Sequence, residues 1–218
     1  MSVTPDPRQL FTDRHASYAR FIRAVRYSQG LQAFFGTSPL LRPNLRILDA
    51  GCGAGALTLA VRAAMIRGGF PYQALYGFDL TPAMLNRFRH TMYREGIDDV
   101  ELAEANVLQL DRLPAGWSDY DLIVSASMLE YVPRARFVDA LAELRARLLE
   151  GGAFVLFMTR RNPLTRLLIG QWWESNLYTA GELADALHAA GFTGVTRRHF
   201  PLAASHLSVW GHIIEGHR

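Results

Sequence analysis

The stretch "ILDAGCGAGALTLA", residues 47–60, constrains this chain more than any other. An apolar run reaches Asp49 and Ala50, glycines stand at 51, 53 and 55, and a second apolar run follows. That order reads as a short buried strand, a tight turn and the helix from Ala56 to Arg67. Glycines at alternate positions let the turn close and let a ligand approach the backbone with no side chain between. Two cofactor patterns overlap here. Gly51, Gly53 and Ala56 fit the dinucleotide pattern G-x-G-x-x-G/A, whereas Asp49, Gly51, Gly53 and Gly55 fit D-x-G-x-G-x-G.

The strand and helix rhythm then repeats. "QALYGFDL" reads as a second strand, Pro82 to Glu95 as a helix with proline in its first turn, and "VELAEANV" as a third strand. "YDLIVSAS" follows as a fourth strand, Arg134 to Leu149 as a helix, and "AFVLFMT" as a fifth strand after a Gly151-Gly152 turn. Ahead of them, Arg14 to Phe35 has the apolar spacing of an amphipathic leading helix or helix pair, closed by Pro39 and Pro43. Such alternation predicts an α/β fold, a parallel sheet with helices on both faces. Beyond Thr159 the rhythm changes. A Trp-rich stretch, 163–173, precedes a helix from Thr179 to Ala190 with a Thr179/Glu182 capping box. "GVTRRHF" and "LSVWGHIIEG" then lie too close for a helix between them, so they pair as a hairpin with a fairly long loop.

The 218 residues suit one domain, and a composition half hydrophobic and one-fifth charged is that of a soluble globular chain. The net charge of +3 is spread over isolated arginine pairs such as Arg197-Arg198, so no DNA partner is expected. Cys52 is the sole cysteine, which rules out an internal disulfide and a cysteine-rich zinc site and suits a reducing cytoplasm. "MSVTPDPRQLFTDRH" lacks the apolar core of a secretory signal, and no apolar run is long enough to span a bilayer.

In open parallel sheets, ligands collect beyond the carboxyl ends of the strands. Asp79 ends the second strand, where a carboxylate can accept from both hydroxyls of a ribose or, alternatively, cap the helix starting near Pro82. A ribose contact would serve either cofactor. Asp49 discriminates, because a carboxylate before the glycine turn repels a pyrophosphate and welcomes a cationic ligand. A sulfonium with an amino-acid tail fits that sign, so S-adenosylmethionine is favoured.

Taken together, these motifs resemble the class I S-adenosylmethionine-dependent methyltransferases over about residues 45–216. "LDAGCGAG" is similar to the family's first motif, "FDLTPAML" to its second, "EANVLQL" to its third and "YDLIVSASMLEYVP" to its fourth. "LLEGGAFVLF" is similar to its "LkPGG" turn, and "YTAGELADALHAAGFTGV" to the closing helix and sixth strand. The resemblance implies a Rossmann-like, doubly wound sheet of seven strands, mostly parallel with the last antiparallel. It also implies an S-adenosylmethionine site at Asp49, Gly51, Cys52, Gly53, Gly55, Asp79, Leu80, Asn106, Val107 and Ser125. Asn106 and Val107 stand where the family usually has Asp and a small residue near the adenine, and Asn keeps an acceptor oxygen.

The same resemblance makes residues 1–43 a helical lid and 44–218 the catalytic domain. Tyr18 in the lid would contact the methionine carboxylate or simply pack in the core. Ser125, Ser127, Glu130 and Tyr131 would border the transferred methyl, with Glu130 the first candidate base and Tyr131 in the acceptor pocket. Trp172, Trp173 and Leu168 would wall that pocket, with Arg160, Arg161 and Arg166 greeting an acidic head group, or the segment would pack on the sheet as an amphipathic helix. "SASMLEYV" offers only Glu130 as a carboxylate, so no metal is expected. It also lacks the [ND]-P-P-[YF] run of enzymes methylating DNA bases. His90, His188, His199, His206 and His212 read as surface or structural. The expected activity is methyl transfer to a small molecule by a monomer or homodimer. The alternatives are a protein or RNA acceptor, or a silent S-adenosylmethionine-binding member.

Overall fold

The structure, a computed structural model, describes residues 25–160 and 176–218. Seven strands form one sheet: β1 (Arg46–Ala50), β2 (Ala74–Asp79), β3 (Val100–Glu104), β4 (Tyr120–Ala126), β5 (Leu148–Thr159), β6 (Thr193–Arg198) and β7 (Gly211–His217). Their order is β3-β2-β1-β4-β5-β7-β6. The first five pair in parallel, and β7 lies antiparallel between β5 and β6.

Both faces are covered, which is why the central strands read as continuous apolar runs. Ile47 of β1 joins the core on one face, and Leu48 and Ala50 join the core on the other. The first face packs against α1 (Tyr27–Gly36), α2 (Ala56–Arg67), α3 (Pro82–Glu95) and the turn-rich segment Leu202–Val209. The second packs against α4 (Phe137–Ala146) and α5 (Ala180–Ala189). Local chemistry sets the helix ends. Pro82 opens α3 and Gly96, at φ 63°, closes it, while Thr179 and Glu182 exchange hydrogen bonds as a capping box at the start of α5.

Four boundaries differ from the sequence reading. The helix expected over 134–149 is a 3-10 turn, Arg134–Arg136, followed by α4, and Leu148 already belongs to β5. The Gly151-Gly152 pair is a bulge inside β5, where pairing jumps from Tyr120↔Leu148 to Leu122↔Ala153 and Gly151 takes φ +75°. "VELAEANV" stops as a strand at Glu104, because the chain turns at Asn106. "LSVW" is 3-10 turn, and β7 begins only at Gly211. Within the leading segment, α1 is described from Tyr27. Arg26 precedes it in a left-handed conformation, φ 54°, and the part of the leading helix or helix pair expected before residue 25 lies outside the described residues.

β1 has β2 on one side and β4 on the other, so the chain's crossovers leave it in opposite directions. The crevice at such a switch point is where open α/β sheets bind ligands.

Candidate functional site

Three glycines build the floor of that crevice. Gly51, Gly53 and Gly55 all adopt positive φ, at 77°, 53° and 91°. The first two turn residues are stitched to the neighbouring strand, since the N–H groups of Gly51 and Cys52 both donate to the Phe78 carbonyl at 2.8 and 2.9 Å. A β-carbon at Gly51 would run into the Met128 side chain at 2.3 Å, and one at Gly55 into the Phe88 ring at the same distance. At Gly53 it would meet nothing closer than the tip of Met84 at 3.6 Å. Two of the glycines thus answer to packing, and the third leaves backbone open to a ligand.

Asp79 holds this loop from the end of β2. One carboxylate oxygen accepts from the Gly53 N–H at 2.9 Å and the other from the Thr81 N–H at 2.8 Å. Asp79 thus organises the entry to α3 and lies beside the open glycine. Burial raises its pKa, and the two backbone N–H groups oppose the rise.

Asp49 is buried beneath the turn. Its Oδ2 accepts the Thr58 hydroxyl at 2.6 Å, and its Oδ1 has no hydrogen-bond partner among the described residues. Burial pushes its pKa up to about 7, against the lowering effect of Thr58. A buried acceptor with a spare oxygen is the complement of an ammonium or sulfonium group. No motif of the sequence marks Thr58. The available signal was a hydroxyl nine residues after Asp49, in the first turn of the helix that the glycines feed.

Cys52 turns its side chain onto Gly77 of β2, within 3.0 Å of where a β-carbon there would sit. Burial, then Asp49 and Asp79, push its thiol pKa up, which removes it as a nucleophile. Leu80 and Asn106 are half-buried and Val107 is buried, beyond the ends of β2 and β3. Asn106 Oδ1 accepts the Leu108 N–H at 3.0 Å, forming an Asx turn. The Ser125 hydroxyl donates to the Ala50 carbonyl at 2.8 Å and pins the ends of β1 and β4 together.

Glu130 is buried after β4, and its Oε2 accepts the Thr159 backbone N–H at 3.1 Å. Burial raises its pKa to about 7, against those bonds to Thr159. Its own carbonyl accepts the Asn176 N–H at 2.8 Å. Tyr131, next in the same 3-10 turn, is half-buried. The structure thus gathers Asp49, Gly51, Gly53, Gly55, Asp79, Asn106, Ser125 and Glu130 around the carboxyl ends of the first four strands. Tyr18, Trp172, Trp173, Leu168, Arg161 and Arg166 lie outside the described residues. Among the described residues, no three metal-ligating side chains cluster, and no helix is long and apolar enough to cross a membrane.

Residues 47–152 match the family model described as a methyltransferase domain. A carboxy-S-adenosyl-L-methionine synthase of Chromohalobacter salexigens is 32% identical over 117 residues, covering 53% of this chain and 40% of that protein. A ubiquinone biosynthesis O-methyltransferase of Marinobacter nauticus is 28% identical over 172 residues, covering 69% of this chain and 67% of the other. Several of the curated relatives are thus much longer than the part this chain matches. Among solved structures, Haemonchus contortus phosphoethanolamine N-methyltransferase 2, in complex with phosphomonomethylethanolamine and S-adenosylhomocysteine, superimposes with a TM-score of 0.70. It is 12% identical, and the match covers 98% of this chain and 60% of that one. By family model, residues 47–152 are a methyltransferase domain, and the chain's motif order and strand order resemble those of the class I S-adenosylmethionine-dependent methyltransferases.

Proposed function

We propose that this chain transfers the methyl group of S-adenosylmethionine to a small-molecule acceptor. The observation that carries the reading is Gly53: its backbone is open to a ligand and held by Asp79, in the same strand-turn-helix whose Asp49 keeps a buried oxygen without a partner among the described residues. S-adenosylmethionine supplies an electrophilic methyl on a sulfonium. Asp49 would balance the positive charge of its amino-acid end, Asp79 would hold its ribose, and Asn106 and Val107 would flank its adenine. The chain's main contribution is then alignment of the two reactants in a site shielded from water.

The acceptor side is framed by the segment 127–132 and by the ends of β5 and β7. An acceptor of small size is supported by the likeness to the ubiquinone biosynthesis O-methyltransferase, a match that spans most of both chains. Residues 1–43 complete this reading as a lid, Tyr18 as a contact of the methionine carboxylate, and Trp172 and Trp173 as a wall of the acceptor pocket. The lone, buried Cys52 accords with work in a reducing cytoplasm. Titration calorimetry against S-adenosylmethionine, S-adenosylhomocysteine and NAD tests the cofactor, followed by methyl-release assays over quinol, phenol and amine acceptors. Binding of the first two with turnover on one acceptor is expected. Preference for NAD overturns the reading, and tight binding without turnover on any small acceptor redirects it to a macromolecular acceptor or a silent binder.

A further inference from the structure

β7 places a histidine at the edge of the sheet where the crevice lies. His212 pairs with Met158 of β5, is 4% exposed, and its Nδ1 has no hydrogen-bond partner among the described residues. Burying a polar atom in that state costs about 1 to 3 kcal/mol. Its neighbours are cationic. Arg160 extends β5 two residues past Met158, and its N–H donates to the Trp210 carbonyl at 2.8 Å, continuing the ladder with β7. Arg197 of β6 pairs with Ile214, two residues past His212. Residues two apart on a strand, and partners across a ladder, share a face. Met158, Arg160, His212, Ile214 and Arg197 therefore face the same side, with the histidine between the two arginines.

Burial, then Arg197 and Arg160, push the His212 pKa down to about 4, so the ring is neutral at physiological pH. A neutral imidazole carries one N–H donor, and two guanidinium groups beside it set a positive field. One Arg160 guanidinium nitrogen donates to the Ser208 carbonyl at 3.4 Å, and beyond that bond the combination suits an oxyanion, which takes charge-assisted hydrogen bonds from such donors. β7 begins where β5 ends, so this cluster borders the segment held by Glu130 and Thr159.

We propose that His212, Arg160 and Arg197 form a binding site for an oxyanion, a carboxylate or phosphate, on the methyl acceptor. The proposal rests on the methyl-transfer reading for its ligand and refines it to an acidic acceptor.

The test follows the His212 ring nitrogens by NMR in isotope-labelled protein loaded with S-adenosylhomocysteine, with His212→Asn fixing the assignment. Benzoate, inorganic phosphate and neutral benzamide are titrated in turn into wild type and Arg197→Gln. Saturable shifts with benzoate, none with benzamide, and an affinity at least about fivefold weaker in Arg197→Gln are expected. Saturation by phosphate alone supports the oxyanion site and assigns a phosphorylated acceptor. No saturable shift with either anion, or indifference to Arg197→Gln, overturns it. Arg197 is exposed, so that variant serves even if His212→Asn fails to fold. Calorimetry separates the two readings. If S-adenosylhomocysteine does not bind while benzoate still titrates His212 in the unloaded protein, methyl transfer falls and the oxyanion site stands.

Discussion

The Thr159 backbone N–H donates to the Glu130 carboxylate at 3.1 Å, just beyond the point where the Ser127 N–H donates to the Phe157 carbonyl. Glu130 thus acts as one more rung of the β4–β5 ladder, made by a side chain after the backbone has turned away. Together with Asn176, which donates to the carbonyls of Glu130 and Val132, it ties the chain after β4 to the chain before α5. A group so committed positions the acceptor rim. Glu130→Gln keeps an acceptor for Thr159 and is expected to hold kcat within about threefold of wild type, whereas Glu130→Ala leaves a buried N–H unmatched and loses about 1 to 3 kcal/mol of stability. A fall in kcat of a hundredfold or more in Glu130→Gln, with stability intact, would instead establish Glu130 as the base.

Asp49 sets a pH dependence for the cofactor. Its folded pKa lies near 7, raised from 3.8 mainly by burial, so the carboxyl is largely protonated at pH 6 and largely ionised at pH 8. Only the ionised form attracts a cation, so S-adenosylmethionine affinity should fall by about fivefold to tenfold between pH 8 and pH 6. Asp49→Asn should bind more weakly at pH 8 and show little of this slope. Stability has the opposite trend. The unfolded chain releases the Asp49 and Glu130 protons near their ordinary values of 3.8 and 4.5, while the fold retains them to about 7. The native state therefore binds more protons across that window, and stability falls as pH rises through it before levelling off. Calorimetry and urea midpoints at pH 5, 6 and 8 check both trends.

The glycines of the turn should fail in different ways. Gly51→Ala drives a β-carbon into Met128 at a φ of +77°, so loss of several kcal/mol and little soluble protein are expected. Gly53→Ala meets only ordinary van der Waals contacts with Met84 and Asp79 and bears chiefly the strain of its φ, about 1 kcal/mol, yet its methyl enters the region left for a ligand. Its thermal midpoint should drop by a few degrees while cofactor affinity falls by about tenfold or more. Equal cofactor affinity in Gly53→Ala and wild type would place the ligand elsewhere.

The sequence carried the sheet and the glycine turn because both rest on local chemistry. Apolar runs bounded by turn residues specify strands, and Gly51, Gly53 and Gly55 specify positive φ at fixed positions. The miss at 134–149 has a physical cause. "LRARLLEGG" satisfies a helical period up to Leu149, but Leu148 gains more by pairing with Tyr120 than by prolonging α4, a competition decided by tertiary contacts. His212 is inconspicuous in the sequence for a similar reason. In the sequence it is an isolated histidine, and only the antiparallel insertion of β7 between β5 and β6 brings Arg160 and Arg197 to its sides. Glu130 was visible as a carboxylate after the fourth strand, whereas its bond to Thr159 joins residues 29 apart and no local pattern announces it.

Asn106 yields a final prediction. Its Oδ1 already accepts the Leu108 N–H at 3.0 Å, so one lone pair shapes the turn after β3 and the other is left for an adenine amino group. Aspartate at this position would keep the turn bond and present a charged acceptor, and charge-assisted hydrogen bonds are the stronger kind. Asn106→Asp is therefore expected to bind S-adenosylhomocysteine about threefold to tenfold more tightly, at unchanged thermal stability without ligand. Asn106→Ala removes both bonds and should weaken binding by about tenfold while lowering the melting temperature. The pair is diagnostic, because a residue that only shapes the turn would lose affinity in the alanine variant and gain none in the aspartate. Calorimetric titration of the three proteins at pH 8, where Asp49 is ionised throughout, gives the comparison.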